Sequence, residues 1–207
     1  MIEVEVKARI EPSEIADIER GIMEIGGVPA GEGWQEDIYF RHPCRDFADS
    51  DEALRLRRER RRGRGRGRGR GGGNAILTYK GRRLKAEVKA REEREVMVSD
   101  FDGARAILEG VGFTEGATVR KRRRKFILGE GMTVSLDSVE GLGEFVEVEV
   151  EVEARPGSGA ESHGAIREEV SSKVLAIAER LGLPRERLTT EPYLVLLSRI
   201  SSSRASR

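Results

Sequence analysis

The chain has 207 residues, 36% of them charged and 37% hydrophobic; it is long enough for one well-filled core, and no apolar run approaches the length of a membrane span. Cys44 is the lone cysteine, which excludes a disulfide framework and a thiolate metal cluster, and residues 1–10 are acidic from Glu3 onward rather than patterned as a signal peptide, so a cytoplasmic location is the default expectation. The net charge of +1 conceals a split: residues 58–73 hold eight arginines against one glutamate, and the remainder is acidic at −6.

Ile2, Val4 and Val6 alternate with Glu3, Glu5 and Lys7, a two-residue period that predicts a strand with one apolar and one charged face. Ile15, Ile18, Ile22 and Ile25 recur at helical spacing, and Gly26-Gly27 ends that helix. Strands are expected at 34–41, 53–58, 75–81 and 88–99. Ser99 and Asp100 form the cap of a second helix, Phe101–Gly110, with Ala104, Ile107, Leu108 and Val111 on its buried side. Further strands are expected at 118–128, 132–138 and 144–153. A flexible connection at 156–159 leads to a third helix at 165–181, and a short helix at 193–200 precedes a frayed tail at 201–207. This order has a rough twofold character and gives eight strands, an even number that favours a closed antiparallel barrel of the α+β class with flanking helices. Residues 1–200 read as a single domain.

The charged strand faces are the distinctive feature. Glu147, Glu149, Glu151 and Glu153 alternate with valines, and same-face carboxylates about 6–7 Å apart repel unless solvent, a cation or basic partners compensate. A solvated outer face is the ordinary explanation of one such strand. Here matching faces recur: Glu3, Glu5 and Lys7; Arg55 and Arg57; Lys80; Arg91, Glu93 and Glu95; Lys121 and Arg123. If all of them point into one barrel, its lumen has acidic and basic sectors. Carboxylates suit Mg²⁺ or Mn²⁺ and guanidinium groups suit phosphate, so a polyphosphate–metal complex is the ligand that needs both.

Glu3-Val4-Glu5-Val6-Lys7 has the form ExExK. It is followed in order by Asp37-Ile38-Tyr39-Phe40, Ala53-Leu54-Arg55-Leu56-Arg57, Leu77-Thr78-Tyr79-Lys80-Gly81, Arg91-Glu92-Glu93-Arg94-Glu95, Val119-Arg120-Lys121-Arg122-Arg123, Leu136-Asp137-Ser138-Val139-Glu140-Gly141-Leu142-Gly143, and Glu147 with Glu149. In this series the chain resembles the triphosphate tunnel metalloenzymes, whose shared domain is called CYTH and which include class IV adenylate cyclases and thiamine triphosphatases. His42-Pro43-Cys44-Arg45-Asp46-Phe47 and Asp51-Glu52-Ala53-Leu54 look most like proteins labelled as class IV cyclases.

The resemblance implies that Glu3, Glu5, Asp137, Glu147 and Glu149 bind the metal, that Lys7, Arg55, Arg57, Lys80, Arg91, Lys121 and Arg123 bind the substrate's phosphates, and that Glu3, Glu5 and Lys7 take part in catalysis. Residues 120–125 are all basic, so the sequence leaves open which parity faces inward; a shift by one residue would substitute Arg122 and Arg124. The implied activity is conversion of ATP to cyclic AMP and pyrophosphate. Hydrolysis of thiamine triphosphate or inorganic tripolyphosphate, and non-catalytic binding of polyphosphate or nucleotide, are the alternatives. The resemblance is also compatible with a homodimer.

The Arg-Gly tract at 60–73 has no apolar residue. It is expected to be a disordered loop expansion, with contact to RNA as the functional alternative, although no aromatic residue interleaves it. Trp34 and Tyr39 are expected to pack on or near the barrel wall, and Gly141 and Gly143 to shape a turn.

Overall fold

The structure is a computed structural model that describes residues 2–61, 74–84, 89–129, 131–152 and 160–205. Most of the Arg-Gly tract, Glu153 and the connection at 156–159 lie outside the described residues.

The strands are β1 (Ile2–Ile10), β2 (Val28–Arg41), β3 (Ala53–Arg61), β4 (Asn74–Leu84), β5 (Lys89–Val98), β6 (Thr114–Gly129), β7 (Met132–Val139) and β8 (Gly143–Val152), with a two-residue β9 (Leu188–Thr189). The helices are α1 (Ile15–Glu24), α2 (Phe101–Gly110), α3 (Ala160–Arg180) and α4 (Tyr193–Ala205). Every pairing is antiparallel, in the order β5-β4-β3-β2-β6-β7-β8-β1, and β1 pairs with β5 to close the ring. The expected eight-stranded barrel is therefore present, and β9 adds a short pairing to Lys7 and Ala8 of β1.

Polarity alternates through the wall in an inverted sense: the apolar faces point outward against helices and the charged faces point inward. On β1 both faces are buried, Val4, Val6 and Ala8 as well as Glu3, Glu5 and Lys7. The outer cluster joins those apolar residues and Val146, Val148 and Val150 of β8 to Ile18 and Ile22 of α1 and to Val170, Val174 and Ala178 of α3. A second cluster packs α2 on β2, β3 and β4, and a third packs Tyr193, Leu194 and Leu197 of α4 on Val119, Val139 and Phe145. At about 1.5–3 kcal/mol for each fully buried aliphatic side chain, these outer contacts supply the stability that a charged lumen cannot.

Four expectations need correction. The buried side of α2 is Phe101, Ala104 and Leu108, whereas Ile107 and Val111 are 67% and 63% exposed. Asp100, which accepts from the backbone N–H groups of Asp102 and Gly103, fixes where the helix starts and so turns those two residues to solvent. Trp34 is exposed rather than packed. β2 begins at Val28 and not at 34, because an irregularity between Pro29 and Gly31 lets the strand continue through a stretch without alternation. α4 continues to Ala205, through most of the stretch expected to be a tail.

Candidate functional site

Strand parity brings the inward side chains of distant segments around one cavity of about 950 Å³. Glu3, Glu5, Lys7, Arg55, Arg57, Lys80, Arg91, Lys121, Arg123, Glu147 and Glu149 all line it. Asp137 does not: it lies buried behind Lys121 and Arg123. In the basic run the inward residues are Lys121, Arg123 and Lys125, while Arg120 and Arg122 are exposed on the outer wall.

The acidic corner forms where β1 and β8 pair, with Glu5 opposite Glu149 and Lys7 opposite Glu147. One carboxylate oxygen from each of Glu5, Glu147 and Glu149 falls within 4.8 Å of the others. Burial, then the carboxylates of Glu3 and Glu147, push the Glu149 carboxyl up to about 7. A cation relieves that repulsion, and three carboxylates are the hard oxygen donors that Mg²⁺ or Mn²⁺ takes, so the trio fits a divalent ion. Lys7 Nζ donates to Glu5 Oε1 at 3.1 Å and lies 3.4 Å from Glu147 Oε2. Burial alone would lower the Lys7 ammonium, but Glu5 and Glu147 outweigh it and hold the group charged. Glu3 accepts from Lys80 Nζ at 3.0 and 3.2 Å. Lys80 also contacts Glu93, whose carboxyl is raised to about 8 by burial, which outweighs the opposing pull of Lys80.

The basic wall is held in shape by acids of its own. Asp37 on β2 accepts from Arg57 Nε at 2.6 Å and Nη2 at 2.7 Å, a bidentate pair that fixes the guanidinium plane. Arg55 Nη2 donates to Thr78 at 3.0 Å and Glu95 at 3.1 Å. Arg123 bridges Asp137, at 2.6 and 2.7 Å, to Glu147 Oε1 at 2.7 Å. Burial works against the charged form of Asp137, yet Arg123 and Lys121 hold its carboxyl well below the usual range. The Lys121 ammonium is lowered to about 8 by burial and then by Arg123, against the opposing pull of Asp137. At one mouth the buried Arg91 holds the loop between β2 and β3 by donating to the backbone and side-chain oxygens of Asp51, both at 3.1 Å.

Asp37, Glu93 and Tyr193 complete the site; the sequence set Glu93 on a charged strand face and Asp37 in a motif of the resemblance, but assigned none of the three a role. Asp37 could have been found, since it shares inward parity with Gln35 and Tyr39. Tyr193 enters from α4, donates to Asp137 Oδ2 at 3.0 Å, and sets its ring 5.4 Å from Lys7 Nζ and 5.0 Å from Lys121 Nζ. No strand periodicity marks it.

The family model of the CYTH domain matches residues 1–193. The chain belongs to the CYTH domain family. Its relatives include a candidate adenylate cyclase of Methanocaldococcus jannaschii, 32% identical over 95% of this chain and 98% of that protein. The solved structure of a Pyrococcus horikoshii protein is 33% identical, covers 95% of this chain and 98% of its own, and superposes with a TM-score of 0.78. A Hippeastrum candidate adenylyl cyclase described as having a dominant triphosphatase activity shares the fold at 18% identity, with 88% of each chain covered and a TM-score of 0.57. CYTH proteins are triphosphate-acting enzymes that depend on divalent metal, and this CYTH barrel carries a cluster of acidic residues.

Proposed function

We propose that this CYTH protein is a divalent-metal-dependent enzyme acting on a nucleoside triphosphate, with conversion of ATP to cyclic AMP and pyrophosphate as its reaction. The observation that carries the reading is the placement of Glu5, Glu147 and Glu149 in the same cavity as Arg55, Arg57, Lys80 and Arg123. A divalent ion held by that trio supplies charge neutralisation to the phosphate oxygens and to the leaving group. The chain's own cations bind and align the phosphates. Arg57 and Arg123 present guanidinium edges whose opposite sides are fixed by Asp37 and Asp137, so little orientational freedom is lost when a phosphate arrives. Lys7, kept charged beside the acidic corner, stabilises negative charge that develops there. Arg91 holds the β2–β3 loop against the mouth and limits the entry of water.

Attack by the ribose 3′-hydroxyl on the α-phosphorus gives cyclic AMP and pyrophosphate. Attack by water on the terminal phosphorus gives orthophosphate, the outcome for thiamine triphosphate or tripolyphosphate. Cationic side chains on β1, β3, β4, β5 and β6 alike suit a polyphosphate whatever its organic end, which favours this hydrolase as the second reading. Cys44, exposed and unpaired, suits a reducing compartment such as the cytoplasm. Incubating the protein with Mg²⁺ or Mn²⁺ and ATP, tripolyphosphate or thiamine triphosphate tests the proposal. Cyclic AMP with pyrophosphate supports the cyclase, orthophosphate supports the hydrolase, and tight binding without product overturns both in favour of a binding protein. Glu5→Gln should abolish turnover while the protein stays folded.

A further inference from the structure

The outer wall formed by β3, β2 and β6 carries a feature the cavity does not use. Trp34, the chain's single tryptophan, is 59% exposed there. Strand register sets Arg60 opposite it on β3 and Arg122 opposite it on β6, each about 4.8 Å away across the ladder. Arg120 and Arg124 share the outward parity of Arg122 on the same strand. These three β6 arginines contact Glu36, Glu32 and Glu19, and all keep part of their guanidinium surface open to solvent. Arg58 is different: it lies 4.0 Å over the Phe101 ring and pairs with Asp102, so it belongs to the packing of α2.

An indole left open on a sheet face, with an arginine on each side, matches what an unpaired base and its flanking phosphates require. The indole offers a stacking face, and the guanidinium groups offer charge and hydrogen bonds to phosphate. The sequence beyond Arg61 adds five arginines and no acid before Asn74, which strengthens the positive field around the end of β3. We infer that this outer face binds single-stranded nucleic acid, stacking a base on Trp34 with phosphates on Arg60 and Arg122. The surface is the reverse side of the wall that lines the cavity, so it works independently of the triphosphate reaction. Phosphate must displace Glu32 and Glu36 from the β6 arginines, which keeps the affinity modest and sensitive to salt.

The lone tryptophan makes the test direct. A single-stranded oligouridine of about a dozen nucleotides, and its deoxy counterpart, are titrated into the full chain while tryptophan fluorescence is followed. Saturable quenching is expected, with affinity falling about tenfold or more between 50 and 200 mM salt. Trp34→Ala should weaken binding of a labelled oligomer, read by anisotropy, about tenfold. Arg122→Glu should weaken it as well, and both variants should turn over triphosphate like the parent. Binding of both oligomers, or of the RNA alone, supports the surface. Three results overturn it: unchanged affinity in Trp34→Ala, equal affinity for a duplex of the same length, or displacement of the oligomer by tripolyphosphate, which would put the strand in the tunnel.

Discussion

Substituting Asp137→Asn tests whether this residue is a keystone of the basic wall or a ligand of the metal. Asp137 is 1% exposed and accepts from Lys121 Nζ at 3.0 Å, from Arg123 at 2.6 and 2.7 Å and from the Tyr193 hydroxyl at 3.0 Å. The amide keeps the shape but removes the charge, leaving Lys121 and Arg123 adjacent with less compensation. Breaking a buried pair costs about 3–5 kcal/mol, and because Arg123 retains Glu147 the lower end, about 3 kcal/mol, is expected. For a chain of this size that corresponds to a fall of about 6–12 °C in Tm. Calorimetry at neutral pH without ligand measures it, and added tripolyphosphate should recover much of the loss by supplying the missing negative charge. The acid limb gives an independent check. The folded Asp137 carboxyl lies below its unfolded value, so its stabilisation is complete above about pH 4 and is lost as pH falls towards the folded value. The variant should therefore show a shallower acid limb. A variant that melts within about 2 °C of the parent yet no longer binds Mn²⁺ would refute the keystone argument.

Three further outcomes follow from the same geometry. The folded Glu149 carboxyl titrates near 7 against an ordinary 4.5, so its contribution to stability is present below the lower value and lost as pH rises through the upper one. Glu149→Gln should accordingly be about 1–2 kcal/mol more stable than the parent at pH 8 without metal and nearly equal at pH 5, and should bind Mn²⁺ at least about tenfold more weakly; denaturant titration and calorimetric binding measure these. Asp37→Asn should raise KM for the triphosphate with a smaller effect on kcat, and should add nothing in an Arg57→Ala background; additive losses would show that Asp37 does not act through Arg57. Tyr193→Phe removes a hydroxyl donor to a charged acceptor and should cost about 1.5–3 kcal/mol, measured by urea denaturation.

The barrel was legible because a two-residue period that places Glu or Arg against Val or Leu is easy to see in Glu3-Val4-Glu5-Val6-Lys7 and in the β8 alternation. The inward set of charges followed from the same parity. The legible part ended where parity ends. Nothing in the basic run 120–125 distinguishes its two faces; pairing on both sides fixes the register, Lys121 with Gln35 and Arg123 with Gly33 on β2, and Lys121 with Val139 and Arg123 with Asp137 on β7. Tyr193 arrives from a helix, and its meeting with Asp137 spans segments far apart in the chain. The first residues of β2, including Pro29 and Gly31, have no alternation, and the glycine's φ of +133° carries the irregularity there. The chemistry of Trp34 alone predicts packing on or near the barrel wall, but its even-numbered place on β2 turns it outward, where it is 59% exposed.

The claim on which the rest depends is that a metal and a triphosphate meet inside the barrel. Crystals grown with Mn²⁺ and a non-hydrolysable tripolyphosphate analogue, measured at the manganese edge, test it most directly. An anomalous peak among the Glu5, Glu147 and Glu149 carboxylates, with phosphate density against Arg57 and Arg123, is the predicted result. Manganese confined to surface acids, with no phosphate in the lumen, would contradict it.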